Sequence, residues 1–182
     1  MQYASNDMKR VAKLPLAELD KIMLRGEKPD FAAISGFEWK GFNTIIYAPI
    51  LGIRQFIKGF FIDSDGSGAG YNEPCEQRGL EGPWRAKPNP WDPKRFGFYS
   101  VGPVDPTSID NRRLNALLLN YAQSPRNFAG DPTRMLRDYI VRVEPGSDEL
   151  LLGEAYLAFP KRLLVGHFAL ERLRKSSFRA CA

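Results

Sequence analysis

The chain has 182 residues, of which 43% are hydrophobic and 26% charged, enough for one domain with a core and too few for two ordinary domains. This composition excludes a disordered chain, a collagen and a coiled coil. Lys and Arg number 26 against 21 Asp and Glu, a formal net charge of +5 that is only a weak sign of an anionic partner. Two cysteines and one histidine cannot assemble a zinc site of the usual Cys/His kind.

The sequence predicts a cytoplasmic protein. Its first 21 residues are polar and mixed in charge, unlike a secretory signal. The longest nearly apolar stretch, residues 45–53, contains a proline and a glycine and is too short to cross a bilayer, so we expect no membrane span. Cys75 and Cys181 are expected to be free thiols in a reducing compartment.

The chain begins with helical patterns and then changes period. Residues 15–24 carry Leu16, Leu19 and Met23 at helical spacing, and Gly26 follows as a C-cap. Residues 30–35 predict one more helical turn. From Gly36 onward apolar residues alternate with polar ones, which indicates a half-buried strand.

Eight further strand-like runs follow, so about nine strands are expected. Consecutive strands with short connections and no alternating helices favour an antiparallel meander. A sheet that closes into a barrel has no exposed strand edges. The predicted fold is therefore mainly β, an up-and-down barrel of about 8–10 strands, and a split sandwich is the second alternative. We expect residues 1–35 to form an N-terminal segment whose helix caps the barrel and residues 36–182 to form one barrel domain. The runs are 54–63, 70–77, 84–87, 95–104, 116–123, 135–143, 149–159 and 163–174.

The two ends of the chain carry a pair of related motifs. The first strand opens with Gly36-Phe37-Glu38-Trp39-Lys40-Gly41, and the last strand ends with Arg172 and Arg174. These motifs resemble the calycin group of lipocalins and fatty-acid-binding proteins. In calycins a Trp of the first strand packs against an Arg of the last strand, with a cation–π component. Here the glycine precedes Trp39 by three residues, whereas lipocalins have two. Residues 136–139 and 168–172 are also similar to bacterial lipocalin-like proteins of uncharacterised function. The resemblance implies a barrel with an internal cavity.

A barrel cavity implies a small hydrophobic or aromatic molecule as the partner, and aromatic residues in the predicted strands would line it. The apolar stretch at residues 45–52 would act as a lid, and the ligand would enter between it and the proline-rich segment around Trp84 and Trp91. Rings that fill the core instead would make a structural or interaction protein. The candidate lining residues are Phe56, Phe60, Trp84, Phe98, Tyr139, Tyr156 and Phe168.

Charged side chains within strand runs are candidates for catalysis, because a buried charge is costly unless it is paired or used. Lys58, Asp138 and Glu154 each share a strand face with apolar residues. If those faces point inward, these groups and Tyr156 could serve a cofactor-independent isomerase or cyclase that works mainly by orienting its substrate. If they point outward, the charges are solvated, and the sequence does not decide between the two registers.

Metal and cofactor candidates are few. His167, the only histidine, could be the proximal ligand of haem in a barrel similar to nitrobindin. It could instead be a surface histidine, a hydrogen-bonded core histidine, or a general acid or base. Residues 63–73 resemble a calcium loop, with Asp63 and Asp65 as ligands, but Pro74 stands where the closing Glu is needed, which favours an acidic hairpin. No cofactor fingerprint is present. The basic clusters lack interleaved aromatic residues, so we expect no nucleic-acid partner. The sequence leaves open whether the protein forms a homodimer.

Overall fold

The computed structural model describes residues 2–45, 52–158 and 162–180. Three α-helices come first in this part of the chain: α1 (Asn6–Ala12), α2 (Leu16–Arg25) and α3 (Phe31–Ile34). Eight strands follow, with one 3₁₀ turn (Pro132–Met135) before the sixth. The strands are β1 (Phe37–Asn43), β2 (Gln55–Ile62), β3 (Gly68–Pro74), β4 (Phe96–Pro103), β5 (Leu117–Asn120), β6 (Leu136–Arg142), β7 (Leu150–Leu157) and β8 (Leu163–Lys175).

The sheet is a closed barrel. Each strand pairs antiparallel with its neighbours in the sequence, and β1 pairs with β8 to complete the ring. Closure satisfies the backbone groups that an open sheet would expose along its edges. The predicted up-and-down barrel is confirmed, and the sandwich alternative is wrong. Among the described residues, no helix is both long enough and apolar enough to cross a membrane.

The predicted strand at residues 84–87 is wrong. Only a single bridge, between Cys75 and Ala86, continues the pairing beyond β3. Four prolines between residues 78 and 95 remove backbone donors that a ladder needs. Trp84 anchors the loop instead, because its buried Nε1 donates to the Gly41 carbonyl at 3.0 Å. The barrel therefore has eight strands rather than nine.

Helix α1 is an element that the sequence reading missed. Ser5 is its N-cap, and the Ser5 side chain accepts a hydrogen bond from the Met8 amide at 3.1 Å. Met8 and Val11 are fully buried. With seven residues, α1 is too short to show a convincing helical period in the sequence.

The described residues form two large apolar cores, one on each side of the barrel wall, and a smaller outer cluster around Phe61 and Tyr71. The inner core fills the barrel with residues such as Phe60, Tyr99 and Leu151. The outer core lies between the wall and helices α1 and α2 and contains Leu19 and Met23. The expectation that the N-terminal helix covers the outside of the last strands is thus met. β7 is buried on both faces, which explains why it is apolar on both faces in the sequence.

One end of the barrel is closed by Trp39. Its side chain is fully buried, and its Nε1 donates to the Ile34 carbonyl at 3.4 Å. Arg172 pairs with Trp39 across the β1–β8 ladder and places its guanidinium carbon 5.3 Å from the Trp39 ring centroid. Arg174 instead faces outward and donates to Glu38 Oε2 at 2.7 Å. Of the two basic residues, Arg172 covers Trp39.

Candidate functional site

A cavity of about 260 Å³ lies inside the barrel, at the end opposite Trp39. Its walls come from the end of β1, the start of β2, and the corresponding ends of the other strands. Most of the lining is apolar or aromatic. Four polar residues lie together at the inner end, and Asn43, Gln55 and Thr133 are polar residues elsewhere in the lining. The apolar lining includes Ile53, Phe56, Pro74, Cys75, Phe96, Leu136, Ala155, Val165 and Phe168.

Four buried polar side chains form the inner end of this cavity, and we refer to Lys58, Asn72, Tyr121 and Asp138 as the barrel floor. Lys58 Nζ lies 2.9 Å from Asp138 Oδ2, and it donates to Tyr121 Oη at 2.6 Å and to Asn72 Oδ1 at 3.0 Å. Tyr121 donates in turn to Asp138 Oδ2 at 2.8 Å. The Asn72 amide donates to the Gly97 carbonyl at 2.9 Å, which fixes its orientation.

Aromatic rings surround the Lys58 ammonium group. Its Nζ lies 4.6 Å from the Tyr99 centroid, 5.2 Å from Tyr121, 5.4 Å from Phe168 and 5.7 Å from Phe56. Ring faces attract cations, so these contacts replace part of the lost hydration. Burial lowers the pKa of Lys58, and the nearby Asp138 carboxylate offsets part of that effect. Burial also raises the pKa of Tyr121 well above its ordinary value.

The barrel floor is almost fully satisfied by its own hydrogen bonds. An ammonium group has three protons, and Lys58 has three acceptors within 3.0 Å. Among the residues that the structure describes, the exceptions are Asp138 Oδ1, and Gln55 Nε2 farther along the cavity wall, which are buried without a hydrogen-bond partner. The geometry therefore supports an anchored, charged floor with one unused acceptor and one unused donor nearby.

The predicted lining residues divide between the two faces of the wall. Phe56 and Phe168 line the cavity, and Phe60 is inside but packs in the filled end with Trp39 and Tyr99. The remaining four do not line the cavity, and this corrects the prediction. Trp84, Tyr139 and Tyr156 belong to the outer core, and Phe98 packs outside the barrel against Tyr71 and Phe178.

Alternation along each strand explains these corrections. Tyr139 lies between Asp138 and Ile140, which point inward, and Tyr156 follows the inward Ala155. Near the start of β4 the pairing with β3 is irregular and Gly97 takes a φ of 51°, so that Phe96 lines the cavity while Phe98 packs outside.

The predicted catalytic residues are also separated by the wall. Lys58 and Asp138 meet inside, whereas Glu154 and Tyr156 lie outside, where Tyr156 Oη donates to Glu154 Oε2 at 3.0 Å. Arg113 forms a bidentate pair with Glu154, with N–O distances of 2.9 and 2.7 Å. Burial by itself raises the pKa of Glu154, but His167 and Arg113 outweigh it and bring that pKa to about 2. The four residues therefore do not form a single site.

His167 does not face the cavity, and this overturns its prediction as a haem ligand inside the barrel. It pairs with Glu154 across the β7–β8 ladder, and Phe168, the next residue, is the one that points inward. Its Nε2 lies 3.3 Å from an oxygen of Glu154 and 3.3 Å from an oxygen of Asp20 on helix α2, which lies outside the barrel. An imidazole on this side of the wall cannot ligate a group in the cavity.

The segment that resembles a calcium loop is the hairpin between β2 and β3. Asp63 forms an ion pair with Arg126 and accepts from the Ser64 amide at 2.7 Å. Asp65 accepts from the Ser67 amide at 2.8 Å. These are the bonds of a tight acidic turn.

The predicted entrance is described only in part. Residues 46–51 of the predicted lid lie outside the described residues, whereas Gly52 and Ile53 line the cavity. Trp91 is 95% exposed in the proline-rich loop and does not line the cavity. Cys75 is a free, buried thiol, and Cys181 lies outside the described residues.

Sequence reasoning missed Asn72 and Tyr121, the two neutral members of the barrel floor. Both stand within or beside predicted strands, but a lone Asn or Tyr in such a run is too common to be a signal.

Comparisons of this chain with models of known families, with curated proteins and with solved structures found no match. The closed eight-strand antiparallel barrel fits a calycin-like fold, so the resemblance holds at the level of architecture.

Proposed function

We propose that this protein is a lipocalin-like barrel that binds one small, largely apolar or aromatic molecule in the barrel cavity. The observation that carries the proposal is the cavity itself, with about 260 Å³ of space between aromatic and aliphatic walls. An apolar cavity of about 150 Å³ is enough to hold benzene. A molecule of one or two rings, or a short branched chain, therefore matches the space.

The barrel floor supports a preference for ligands that carry one polar group. A wholly apolar ligand would leave Asp138 Oδ1 and Gln55 Nε2 without partners, which costs free energy in a buried site. A hydroxyl or amide can donate to one and accept from the other. The ligand class is therefore a small hydrophobic body with a single hydroxyl or amide.

The first experiment is native mass spectrometry of freshly purified protein beside its denatured mass. A retained ligand appears as a mass difference and can be identified after extraction. Binding of the fluorescent probe 2-naphthol, which has two aromatic rings and one hydroxyl, is then measured in two variants. Ala155→Phe places a ring in the cavity and is expected to weaken probe binding at least tenfold, whereas Ala17→Phe, on the exposed side of α2, leaves it unchanged.

Equal probe binding in wild type, Ala155→Phe and Ala17→Phe contradicts the proposal, because the probe is then outside the barrel. A bare native mass together with no probe binding also contradicts it and favours a filled structural barrel. Circular dichroism of Ala155→Phe checks that the barrel still folds, so that lost binding is not lost structure.

A second candidate function is a cofactor-independent isomerase or cyclase that uses the same cavity. The observation in its favour is the hydrogen-bonded chain of Lys58, Tyr121 and Asp138 beside an apolar space, with one Asp138 oxygen unpaired. Such a group could take a proton from a bound substrate. It ranks second because every Lys58 donor is already engaged.

Incubation of the extracted ligand with protein separates the two functions. Isomerisation leaves the ligand's mass unchanged but alters its chromatographic retention. Conversion by wild type and its loss in Asp138→Asn, with ligand binding retained, supports catalysis. Binding without any conversion supports a carrier.

A further inference from the structure

A second cluster of chemically active side chains lies on the outer face of the barrel, apart from the cavity. His167 on β8, Glu154 on β7 and Asp20 on α2 bring one nitrogen and two carboxylate oxygens to within 4.8 Å of one another. We refer to these three residues as the outer triad. The wall of the barrel separates it from the barrel floor, because Ala155 and Phe168 point inward beside it.

His167 makes no side-chain hydrogen bond within the described part of the chain. Only 1% of the residue is exposed, and neither ring nitrogen has a hydrogen-bond partner among residues 2–45, 52–158 and 162–180. A buried imidazole normally pairs at least one nitrogen, since an unpaired polar atom is costly. Its Nε2 faces Asp20 Oδ1 and Glu154 Oε1 at 3.3 Å each. One N–H cannot point along both directions at once.

Two of the three spacings among these atoms match a particular ion. In tetrahedral Zn²⁺ sites, bonds of about 2.0–2.2 Å place neighbouring ligand atoms about 3.3–3.6 Å apart. Both distances from His167 Nε2 are 3.3 Å, and the two carboxylate oxygens lie within 4.8 Å of each other. Octahedral Mg²⁺, with bonds of about 2.1 Å, would require about 3.0 Å and prefers oxygen to imidazole. We propose that the outer triad binds one Zn²⁺ ion through His167 Nε2, Glu154 Oε1 and Asp20 Oδ1.

The surrounding residues fit the role of supports for metal ligands. A carboxylate has about four acceptor sites, so Glu154 can bind a metal and keep its bonds from Arg113 and Tyr156. Hydrogen-bonded carboxylates are usual among metal ligands. Asp20 and Glu154 carry two negative charges against one positive charge on Arg113. Adding Zn²⁺ and a neutral imidazole to these three side chains brings the net charge of the site to +1.

A fourth coordination position remains for an exogenous ligand. His167 also lines a groove of about 520 Å³ between the start of α2 and the start of β8, whose other lining residues are mostly apolar. Three protein ligands with an open fourth position are typical of catalytic rather than structural zinc. An anion such as hydroxide in that position would neutralise the local charge. The groove gives it access from outside the barrel.

The test measures Zn²⁺ binding to EDTA-treated full-length protein by isothermal titration calorimetry. One equivalent of Zn²⁺ is expected to bind and to raise the melting temperature. Asp20→Asn is expected to weaken binding at least tenfold. Glu18→Gln, which removes another carboxylate from the same helix, is expected to bind as wild type does. Co²⁺ bound to the wild type should show the strong visible absorption of four-coordinate cobalt.

His167→Asn supplies a second variant and is expected to abolish the cobalt spectrum. If this buried substitution prevents folding, the comparison of Asp20→Asn with Glu18→Gln still decides, because Asp20 is partly exposed. Absence of Zn²⁺ binding at micromolar concentrations overturns the proposal. Equal binding by Asp20→Asn and Glu18→Gln also overturns it, since the ion would then be held elsewhere.

Discussion

The pairing of Lys58 with Asp138 inside the barrel shows how strongly single residues can depend on one another. Both side chains are at most 4% exposed. Removing one partner leaves the other as an uncompensated buried charge, which typically costs about 3–5 kcal/mol. Lys58→Met is therefore expected to reduce the free energy of unfolding by about that amount, measured by urea denaturation.

Replacing both partners should cost much less. The double variant Lys58→Met/Asp138→Leu leaves no buried charge at the barrel floor and is expected to recover at least half of the lost stability. If the double variant is as unstable as the sum of the two single variants, the ion pair does not contribute in the way described.

Glu73 on the outer face of β3 gives the stability a pH dependence. It is fully buried, and Arg95 Nε lies 3.2 Å from its Oε1 without forming a hydrogen bond. Burial, reinforced by the nearby Glu38, raises the pKa of Glu73 from 4.5 to about 7. A raised pKa means that the folded state holds the proton, so the stabilisation is complete below about pH 4.5 and is lost as pH rises through 7.

Glu73→Gln mimics the protonated form at every pH. We expect it to exceed the wild type in unfolding free energy by about 2–3 kcal/mol at pH 8 and to match it near pH 4.5. Urea titrations of both proteins at the two pH values measure this difference. Glu76→Gln, at a more exposed site, serves as control and should differ from wild type by less than about 0.5 kcal/mol at both. A difference for Glu73→Gln that does not change with pH would contradict the raised pKa.

The sequence allowed part of the site to be predicted at this scale. Lys58 and Asp138 stood out because a charge between apolar neighbours in a strand is unusual, and both proved to be inside. Glu154 carried the same signal but lies on the outer face, where Arg113 supplies its counter-charge. Arg113 lies 41 positions from Glu154, and no local pattern links the two.

At the scale of elements, helix α2 contributes stability through one face. Met23 is fully buried against the barrel, whereas the adjacent Leu24 is 63% exposed. Met23→Ala is expected to lower the free energy of unfolding by about 2–5 kcal/mol through lost packing and a cavity. Leu24→Ala should change it by no more than about 0.5 kcal/mol. Similar losses for both, measured by urea denaturation, would mean that α2 does not dock as described.

The strands themselves were largely predictable, and the direction of their faces was not. Seven of the eight predicted later runs became strands, because each was bounded by turn residues and rich in β-formers. Helix α2 packs on the outside of β6 and β7, so residues on both faces of these strands are buried and the sequence pattern does not show which face points inward. For this reason Tyr139 and Tyr156 were expected inside.

At the scale of the whole molecule, closure of the barrel leaves no unpaired strand edge, but the short strand β5 is the least strongly paired part of the ring. β5 has only four residues, whereas β8 has 13. Because β5 pairs through only four residues with each neighbour, fewer hydrogen bonds must break to separate it from the barrel than for a longer strand. Amide protons of β5 are therefore expected to exchange faster than those of β7, as measured by hydrogen–deuterium exchange mass spectrometry. Uniform exchange across all strands would indicate that the barrel opens only as a unit.

The position of Cys75 gives the molecule a chemical reporter of local opening. Its thiol is buried in the outer core beside Trp84, and burial raises its pKa to about 11. Alkylation needs the thiolate and physical access, so in a Cys181→Ser background the labelling rate of Cys75 records how often the loop anchored by Trp84 separates from the barrel wall. Labelling that is faster than unfolding would show that this loop opens while the barrel stays closed.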